Sequence, residues 1–300
     1  MRAIILGANG YIGKHLTDYL NLLDWDLTCY DIQTDSIFPN SLIEYFKLDI
    51  SDKEKMAKID FSCDYLFYFS GLTGTYNSFS KCDSFININE IGLLNLLSCI
   101  QLLDQKPKII FPSTRLVYRG NETKDITEND AKEFKTIYAI TKFNGEQYLE
   151  MYHRLYNIPF TVFRIGVPYG NKFDNFFSYG TIGFLLTCIK QKSEITLYGD
   201  GNQGRTFTHV TDICRQILEV SGKMESNCEI YNIFGENYKL VEIAQILANK
   251  FNVNIKNIAW PEIDLKLESG STNFDFTKIK SIYQENLVFD FKSWIENYHL

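Results

Sequence analysis

The sequence predicts an α/β protein: a doubly wound parallel sheet followed by a smaller C-terminal lobe. Three observations predict it. Short apolar runs alternate with amphipathic helical stretches over about the first 165 residues. The first run ends in a turn bearing Gly7, Gly10 and Gly13, directly before a helical pattern. The alternation then stops after Gly170, where loop and turn residues take over.

The elements follow in order. Arg2, Ala3, Ile4, Ile5 and Leu6 read as a short buried strand, and 14–23 as a helix. A second strand over 27–30 ends at Asp31. Residues 65–69 are an apolar run, and 86–103 an amphipathic helix burying Leu93, Leu94, Leu96 and Leu97. A strand over 108–111, a helix over 138–156 and a strand over 160–165 complete the regular part. Beyond it, 171–183 is loop-like, 182–191 helical and 195–197 a short strand. The turn-rich Gly199-Asp200-Gly201-Asn202-Gln203-Gly204 comes next. Helices over 210–221 and 240–251 flank a strand over 230–233, and the remaining residues are a weaker mix. The expected division is a sheet domain over 1–170, with returns at about 205–240, and a discontinuous lobe from 171–204 and 241–300.

Composition narrows the function. With 45% hydrophobic and 22% charged residues, the chain of 300 is an ordinary globular mixture. A net charge of −7 speaks against nucleic acid or an anionic membrane surface as the main partner. A local basic pocket for a phosphorylated small molecule stays compatible with it. Aromatic residues reach 15%, which core packing accounts for. The seven cysteines (Cys29, Cys63, Cys82, Cys99, Cys188, Cys214 and Cys228) are scattered and form no CxxC pair. That pattern predicts reduced, buried thiols in a cytoplasmic protein, with neither a disulfide frame nor a zinc site. His15, His153, His209 and His299 show no metal-ligand spacing, so no metal is expected. The chain runs from its first residues into strand and turn, which predicts no leader segment. No apolar run approaches the ~20 residues of a membrane span.

Two motifs carry chemistry. In Gly7-Ala8-Asn9-Gly10-Tyr11-Ile12-Gly13, Gly7 permits a tight turn and Gly10 lets the backbone approach a pyrophosphate. Gly13 lets helix and strand pack closely, with the helix N-terminus, Tyr11 and Ile12 included, facing the phosphates. This is a Rossmann-type dinucleotide fingerprint, spaced G-x-x-G-x-x-G. Asp31, at the end of the second strand, suits the adenosine ribose hydroxyls and repels a 2′-phosphate. No arginine follows in Ile32-Gln33-Thr34, so NAD is expected over NADP. Asp49 and Ile50 read as neighbours of the adenine, although Asp49 equally suits a helix N-terminus.

The second motif is Tyr138-Ala139-Ile140-Thr141-Lys142. Its tyrosine and lysine are four residues apart and share one helix face. A phenol titrates at about 10 in water, and a nearby ammonium favours the phenolate. Tyr138 would then accept a proton from a substrate hydroxyl as hydride leaves the carbon for the nicotinamide. Lys142 would also hold the nicotinamide ribose. Thr114, at the end of a strand with Ser113 beside it, would complete the hydrogen bonds.

With these motifs in place the chain resembles the extended short-chain dehydrogenase/reductases, in their nucleotide-sugar epimerase/dehydratase branch. The resemblance runs through Gly7 to Gly13, Asp31, Asp49-Ile50 and Asn89-x-x-Gly92. It continues through Ser113-Thr114-Arg115-Leu116-Val117-Tyr118, Tyr138-x-x-x-Lys142 and Arg164-Ile165-Gly166-Val167-Pro168-Tyr169-Gly170. Gly199-Asp200-Gly201-x-x-x-Arg205, His209-Val210-x-Asp212 and Tyr231-Asn232-Ile233-x-Gly235 close the series. It implies that Thr114, Tyr138 and Lys142 are catalytic and that Ser70, Gly71 and Asn89 line the cofactor. It implies that Arg205 binds a nucleotide diphosphate, with Ser113, Arg115 and Val167 on the substrate side. It also implies a homodimer built through a four-helix bundle, and a discontinuous lobe that binds the substrate.

Departures refine the reading. Dehydratases of this branch place Asp-Glu directly after the catalytic threonine, where this chain has Arg115 and Leu116. Val167 stands where asparagine is common, and Thr206 where aspartate follows the arginine. A second phosphate-binding arginine is missing from the last part of the chain, where Lys266 is the nearest cation. In Gly71-Leu72-Thr73-Gly74-Thr75-Tyr76 the hydroxyls, Thr73 first, either contact a sugar or belong to a turn. The sequence thus points to an NAD-dependent epimerase of a nucleotide-linked sugar. The alternatives are a keto-sugar-nucleotide reductase of the same fold and a non-catalytic NAD-binding protein.

Overall fold

Strand β1 (Arg2–Leu6) is buried from its second residue to its last. A short unbroken apolar run does this when helices cover both faces of a parallel sheet. The computed structural model describes residues 1–38, 43–173 and 180–299. After β1 come α1 (Tyr11–Asn21), β2 (Asp26–Asp31), β3 (Glu44–Lys47), α2 (Lys53–Met56) and β4 (Tyr65–Tyr68). Then follow α3 (Asn77–Ser80), α4 (Cys82–Ile86), a π-turn (Asn87–Ile91), α5 (Gly92–Ile100) and β5 (Lys108–Thr114). A 3-10 turn (Arg115–Val117), α6 (Ile137–Tyr156), β6 (Phe160–Ile165) and β7 (Val167–Tyr169) lead into the second half. That half holds α7 (Gly180–Lys190), β8 (Ile195–Tyr198), β9 (Gly204–His209), α8 (Val210–Ser221), β10 (Glu229–Asn232) and β11 (Glu236–Lys239). It ends with α9 (Leu240–Phe251), β12 (Ile255–Ile258), α10 (Glu262–Leu267), α11 (Thr277–Ile282) and α12 (Phe291–Glu296).

The chain divides into two compact units. The first combines Met1–Val117, Thr136–Arg164 and Ile217–Tyr231. The second combines Tyr118–Lys135, Ile165–Gln216 and Asn232–Leu300. The first unit is built on a seven-stranded sheet in the order β10-β6-β5-β4-β1-β2-β3. The pairings β1–β2, β1–β4, β2–β3 and β4–β5 are all parallel. Strand order reverses between β1 and β4, and the crevice at such a reversal is where open α/β sheets bind ligands.

The core under this sheet joins Leu66, Phe111 and Val162 to Leu93, Leu96 and Leu97, all at most 1% exposed. The three leucines sit at i, i+3 and i+4 on α5, and burying each contributes about 2 kcal/mol. Leu94, expected among them, is only half-buried because it falls on the flank of that stripe. The helix expected over 86–103 starts earlier and contains the π-turn. Helix α6 has its predicted extent, give or take one residue. Thr136 caps its start by accepting from the Ala139 N–H at 3.0 Å. Asn157 ends it in the left-handed region, with φ 55°.

The second unit has a three-stranded sheet, β11-β9-β7, and the parallel pair β12–β8. Strand β9 runs antiparallel to β11 and parallel to β7. Its core gathers Tyr169, Leu186, Phe207, Leu247, Phe291 and Ile295. Buried Asp212 accepts the N–H groups of Val288 and Phe289 at 2.9 and 3.0 Å, which ties down the last segment. The loop expected over 171–183 lies partly outside the described residues. Strands β3 and β12 escape the sequence reading because they are edges with mostly exposed residues and no apolar alternation. Among the described residues no helix is long and apolar enough to cross a membrane, and no acid, cysteine and histidine grouping suits a metal.

Candidate active site

The carboxyl ends of β1, β2, β4 and β5 deliver Gly7, Asp31, Ser70 and Thr114 to one edge of the first unit's sheet. Gly7 adopts φ +89°, which side-chain-bearing residues rarely take. A Cβ there would lie 2.5 Å from the Ser70 nitrogen, and one on Gly13 would lie 2.0 Å from the Gly7 oxygen. Helix and turn therefore touch backbone to backbone. Gly10 caps α1 with no side-chain hydrogen bond, and the first turn, which holds Tyr11 and Ile12, carries no acid. The positive end of the helix macrodipole is left without a carboxylate, as an anion site requires.

Asp31 is 8% exposed. One carboxylate oxygen accepts the Asn9 N–H at 3.0 Å and the other the Gln33 N–H at 3.2 Å. Each oxygen keeps a second lone pair, enough for a vicinal diol. The Asn9 amide donates to the Asp35 carbonyl at 2.8 Å and the Tyr45 hydroxyl at 3.0 Å, and its oxygen accepts the Ile37 N–H. Asn9 thus pins the loop that follows Asp31. Asp49 turns its carboxylate to the Ser51 N–H and hydroxyl, at 2.9 and 2.7 Å. Ile50 fills the space that a Cβ on Gly92 would need, 2.7 Å from its Cδ1.

Asn89 lies in the π-turn, 3% exposed. Its oxygen accepts the Leu72 N–H at 2.7 Å, and its nitrogen donates to the Leu72 carbonyl and the Thr141 hydroxyl, both at 3.1 Å. It joins the loop after β4 to the helix that carries Tyr138 and Lys142. A single π-turn is a recurrent way to re-aim such a side chain. Thr73 in that loop is exposed.

Tyr138 is half-buried, with Phe85 edge-on at 6.4 Å between ring centroids. Lys142, one turn on, is 5% exposed. Its Nζ lies 4.6 Å from the centre of the Phe111 ring, and 3.7 Å from where a Gly71 Cβ would be. Burial pulls its pKa down to about 8, against the pull of Glu146 in the other direction. Thr114 is 7% exposed, and its hydroxyl accepts the Leu116 N–H at 3.3 Å. Ser113 instead donates to Glu146, inside the sheet–helix interface. Arg164 completes that cluster, its Nε 3.0 Å and its terminal nitrogen 2.5 Å from the two Glu146 oxygens. Glu146 and Arg164 escape the sequence reading as site residues, because a lone acid on a helix and a lone base on a strand look like surface charges. Arg115 is half-buried in the turn after Thr114.

The remaining expected residues belong to the second unit. Val167 is 6% exposed, in the apolar core, paired with Phe207 across β7–β9. Arg205 is 2% exposed. Its guanidinium donates to Glu268 and to the carbonyls of Gly204 and Gly270, the latter two at 2.7 and 2.6 Å. Lys266 is engaged with Glu262 on the exposed face of α10, at 2.6 Å.

The glycine cradle, uncapped helix start and Asp31 carboxylate fit a dinucleotide, and the Tyr138–Lys142 helix next to Thr114 fits proton transfer at a hydroxyl. Comparison with known proteins points to the same cofactor. Residues 3–233 match the family described as NAD dependent epimerase/dehydratase. The chain is 28% identical over 221 residues to a putative UDP-glucose 4-epimerase of Methanocaldococcus jannaschii, covering 72% of each. It is 29% identical over 256 residues to a UDP-N-acetyl-alpha-D-glucosaminuronate decarboxylase of Bacillus cytotoxicus, covering 81% of this chain and 78% of that one. Its fold matches the UDP-glucose 4-epimerase of Thermus thermophilus, solved in complex with NAD, with TM-score 0.84 at 21% identity over 99% of this chain and 97% of the other. The chain belongs to the NAD-dependent epimerase/dehydratase family of enzymes.

Proposed function

We propose that the protein epimerises a nucleotide-linked sugar, using a retained NAD. The observation that carries this reading is the turn after Thr114. It holds Arg115 and Leu116, with no carboxylate to drive elimination of water, while the Tyr138–Lys142 pair is intact. Reversible oxidation at a hydroxyl needs that pair, Thr114 and the bound nicotinamide, and no second acid–base pair.

Bound NAD supplies the acceptor, and later the donor, of the two electrons exchanged with the sugar. Gly7, Asn9, Gly10, Tyr11, Ile12 and Gly13 hold its pyrophosphate side, and Asp31 its adenosine ribose. Asp49 and Ile50 flank the adenine, and Ser70, Gly71 and Asn89 the nicotinamide, Asn89 by fixing Leu72. The Tyr138 phenolate takes the proton of the sugar hydroxyl, and Thr114 hydrogen-bonds the same oxygen. Lys142 favours the phenolate and holds the nicotinamide ribose. Once the keto-sugar has turned its other face, Tyr138 returns the proton.

On the substrate side, Thr73 and Arg115 are the exposed and half-buried candidates. Ser113 supports Glu146, and Val167 is enclosed in the second unit's apolar core. For Arg205 to bind a diphosphate, Glu268 has to release the guanidinium. Exposed Ile140, Met151 and Leu155 on α6, with Ile91 on the neighbouring helical stretch, support a homodimer. Seven free thiols support a cytoplasmic location.

The test is direct. The purified protein is denatured and its released cofactor measured; NAD near one per chain is expected. A separate native sample without added cofactor should interconvert two epimeric nucleotide sugars, followed by proton NMR. A cofactor-free protein that consumes NADPH with a 4-keto sugar nucleotide overturns the epimerase reading in favour of the reductase.

A further inference from the structure

A charged pair is buried directly beneath the proposed reaction site. Glu146 is 0% exposed and the Arg164 side chain 3%. Their bonds are bidentate, with the Arg164 Nε at 3.0 Å from one carboxylate oxygen. The oxygen that accepts Nε also accepts the Ser113 hydroxyl. Three elements meet here: Ser113 ends β5 next to Thr114, Arg164 lies on β6, and Glu146 is one turn beyond Lys142 on α6. Gly145, just before it, packs so closely that a Cβ would lie 2.6 Å from the Phe111 ring, the ring that also faces Lys142 Nζ. Stability alone is a poor reason for such a pair. Desolvating both ions costs several kcal/mol each, and apolar residues of similar volume often serve as well or better.

We propose that Glu146, anchored by Arg164, is a positioning residue of this site. It sets Ser113–Thr114 against Tyr138 and Lys142, and its carboxylate sustains the Lys142 ammonium. The proposal rests on the proton-transfer role given above to Tyr138, Lys142 and Thr114. Among the described residues, these groups face Lys142 and Glu146. On α6 itself they are Tyr138 and Glu146; β5 brings Phe111 and Ser113, and β6 brings Arg164. From the π-turn, Asn89 faces the Gly71 side and Glu90 turns to Asn144 and Tyr148 at 3.1 and 2.7 Å. Burial drives Lys142 toward the neutral amine, and Glu146 is the charge that opposes it. Removing that charge lets Lys142 lose its proton at lower pH.

Glu146→Gln in the full chain tests this, with two readouts. Turnover should fall at least about tenfold while KM changes little, Tm should drop because Arg164 stays buried without its counter-charge, and the alkaline limb of the kcat profile should move to lower pH by on the order of one unit. Independently of turnover, the Lys142 Cε resonance of 13C-lysine-labelled protein, assigned through Lys142→Met, should titrate lower by the same amount. Should Glu146→Gln fold poorly, Ser113→Ala, which leaves the ion pair, should lower kcat without moving the limb. The joint replacement Glu146→Met with Arg164→Met should fold and lose kcat. Unchanged titration of Lys142 in Glu146→Gln, or full kcat in the joint apolar variant, overturns the proposal. A wild type without turnover on any nucleotide sugar, alongside a shifted Lys142 titration, overturns the epimerase reading and leaves the Glu146–Lys142 linkage standing.

Discussion

The two units hold their expected site residues in opposite ways. In the first, the expected residues stand at strand ends and helix starts, where backbone geometry dictates them. Gly7 and Gly13 have no room for a Cβ, and Asp31 and Thr114 end β2 and β5. In the second, Val167 is part of the apolar core and Arg205 is enclosed by Glu268 and two carbonyls. Cofactor recognition is mostly a matter of backbone path, which a short motif specifies. Substrate recognition is a matter of side-chain partners that lie far apart in sequence. Arg205 finds Glu268 sixty-three residues on, and no spacing announces that.

The sharpest way to test the contrast is to remove the proposed proton acceptor. Tyr138→Phe should lower turnover by about 10²–10⁴-fold and leave the retained NAD in place. Loss of NAD together with turnover would show that the ring holds the fold of the site and not a proton.

Arg205→Ala probes the other unit. Leaving Glu268 and two carbonyls without their donor should cost about 3 kcal/mol, read as the midpoint of urea unfolding. A raised KM with unchanged stability would instead make Arg205 a substrate contact and break the contrast.

Lys142→Met should lose turnover yet gain stability. Lys142 holds its proton more weakly in the folded chain, at about 8, than an unfolded lysine does. Between about 8 and the unfolded value near 10.4, the unfolded chain therefore binds more protons, and this group makes stability rise with pH across that window. Its cost is fullest below the window, so the substitution should add about 2–3 kcal/mol at pH 7 and less toward pH 10. A loss of stability at pH 7 would show that the amine is a net structural tie. The smallest expected effect is at Asp31: Asp31→Ser should erode the preference for NAD over NADP by about tenfold, measured as the ratio of the two dissociation constants.

The alternating α/β order, the glycine turn, Asp31 and the Tyr138–Lys142 face are legible in the amino-acid order alone. Each rests on local rules: apolar period, steric exclusion of Cβ at a turn, and the four-residue repeat of a helix face. Exposed edge strands such as β3 left no apolar pattern to read. The partners of the polar side chains are set by the fold. Ser113 is given to Glu146, Asn9 to the loop after Asp31, Asn89 to Leu72 and Thr141, and Arg205 to Glu268. A buried polar atom must find a partner, and which partner is within reach is set by how strands and helices from distant parts of the chain come together.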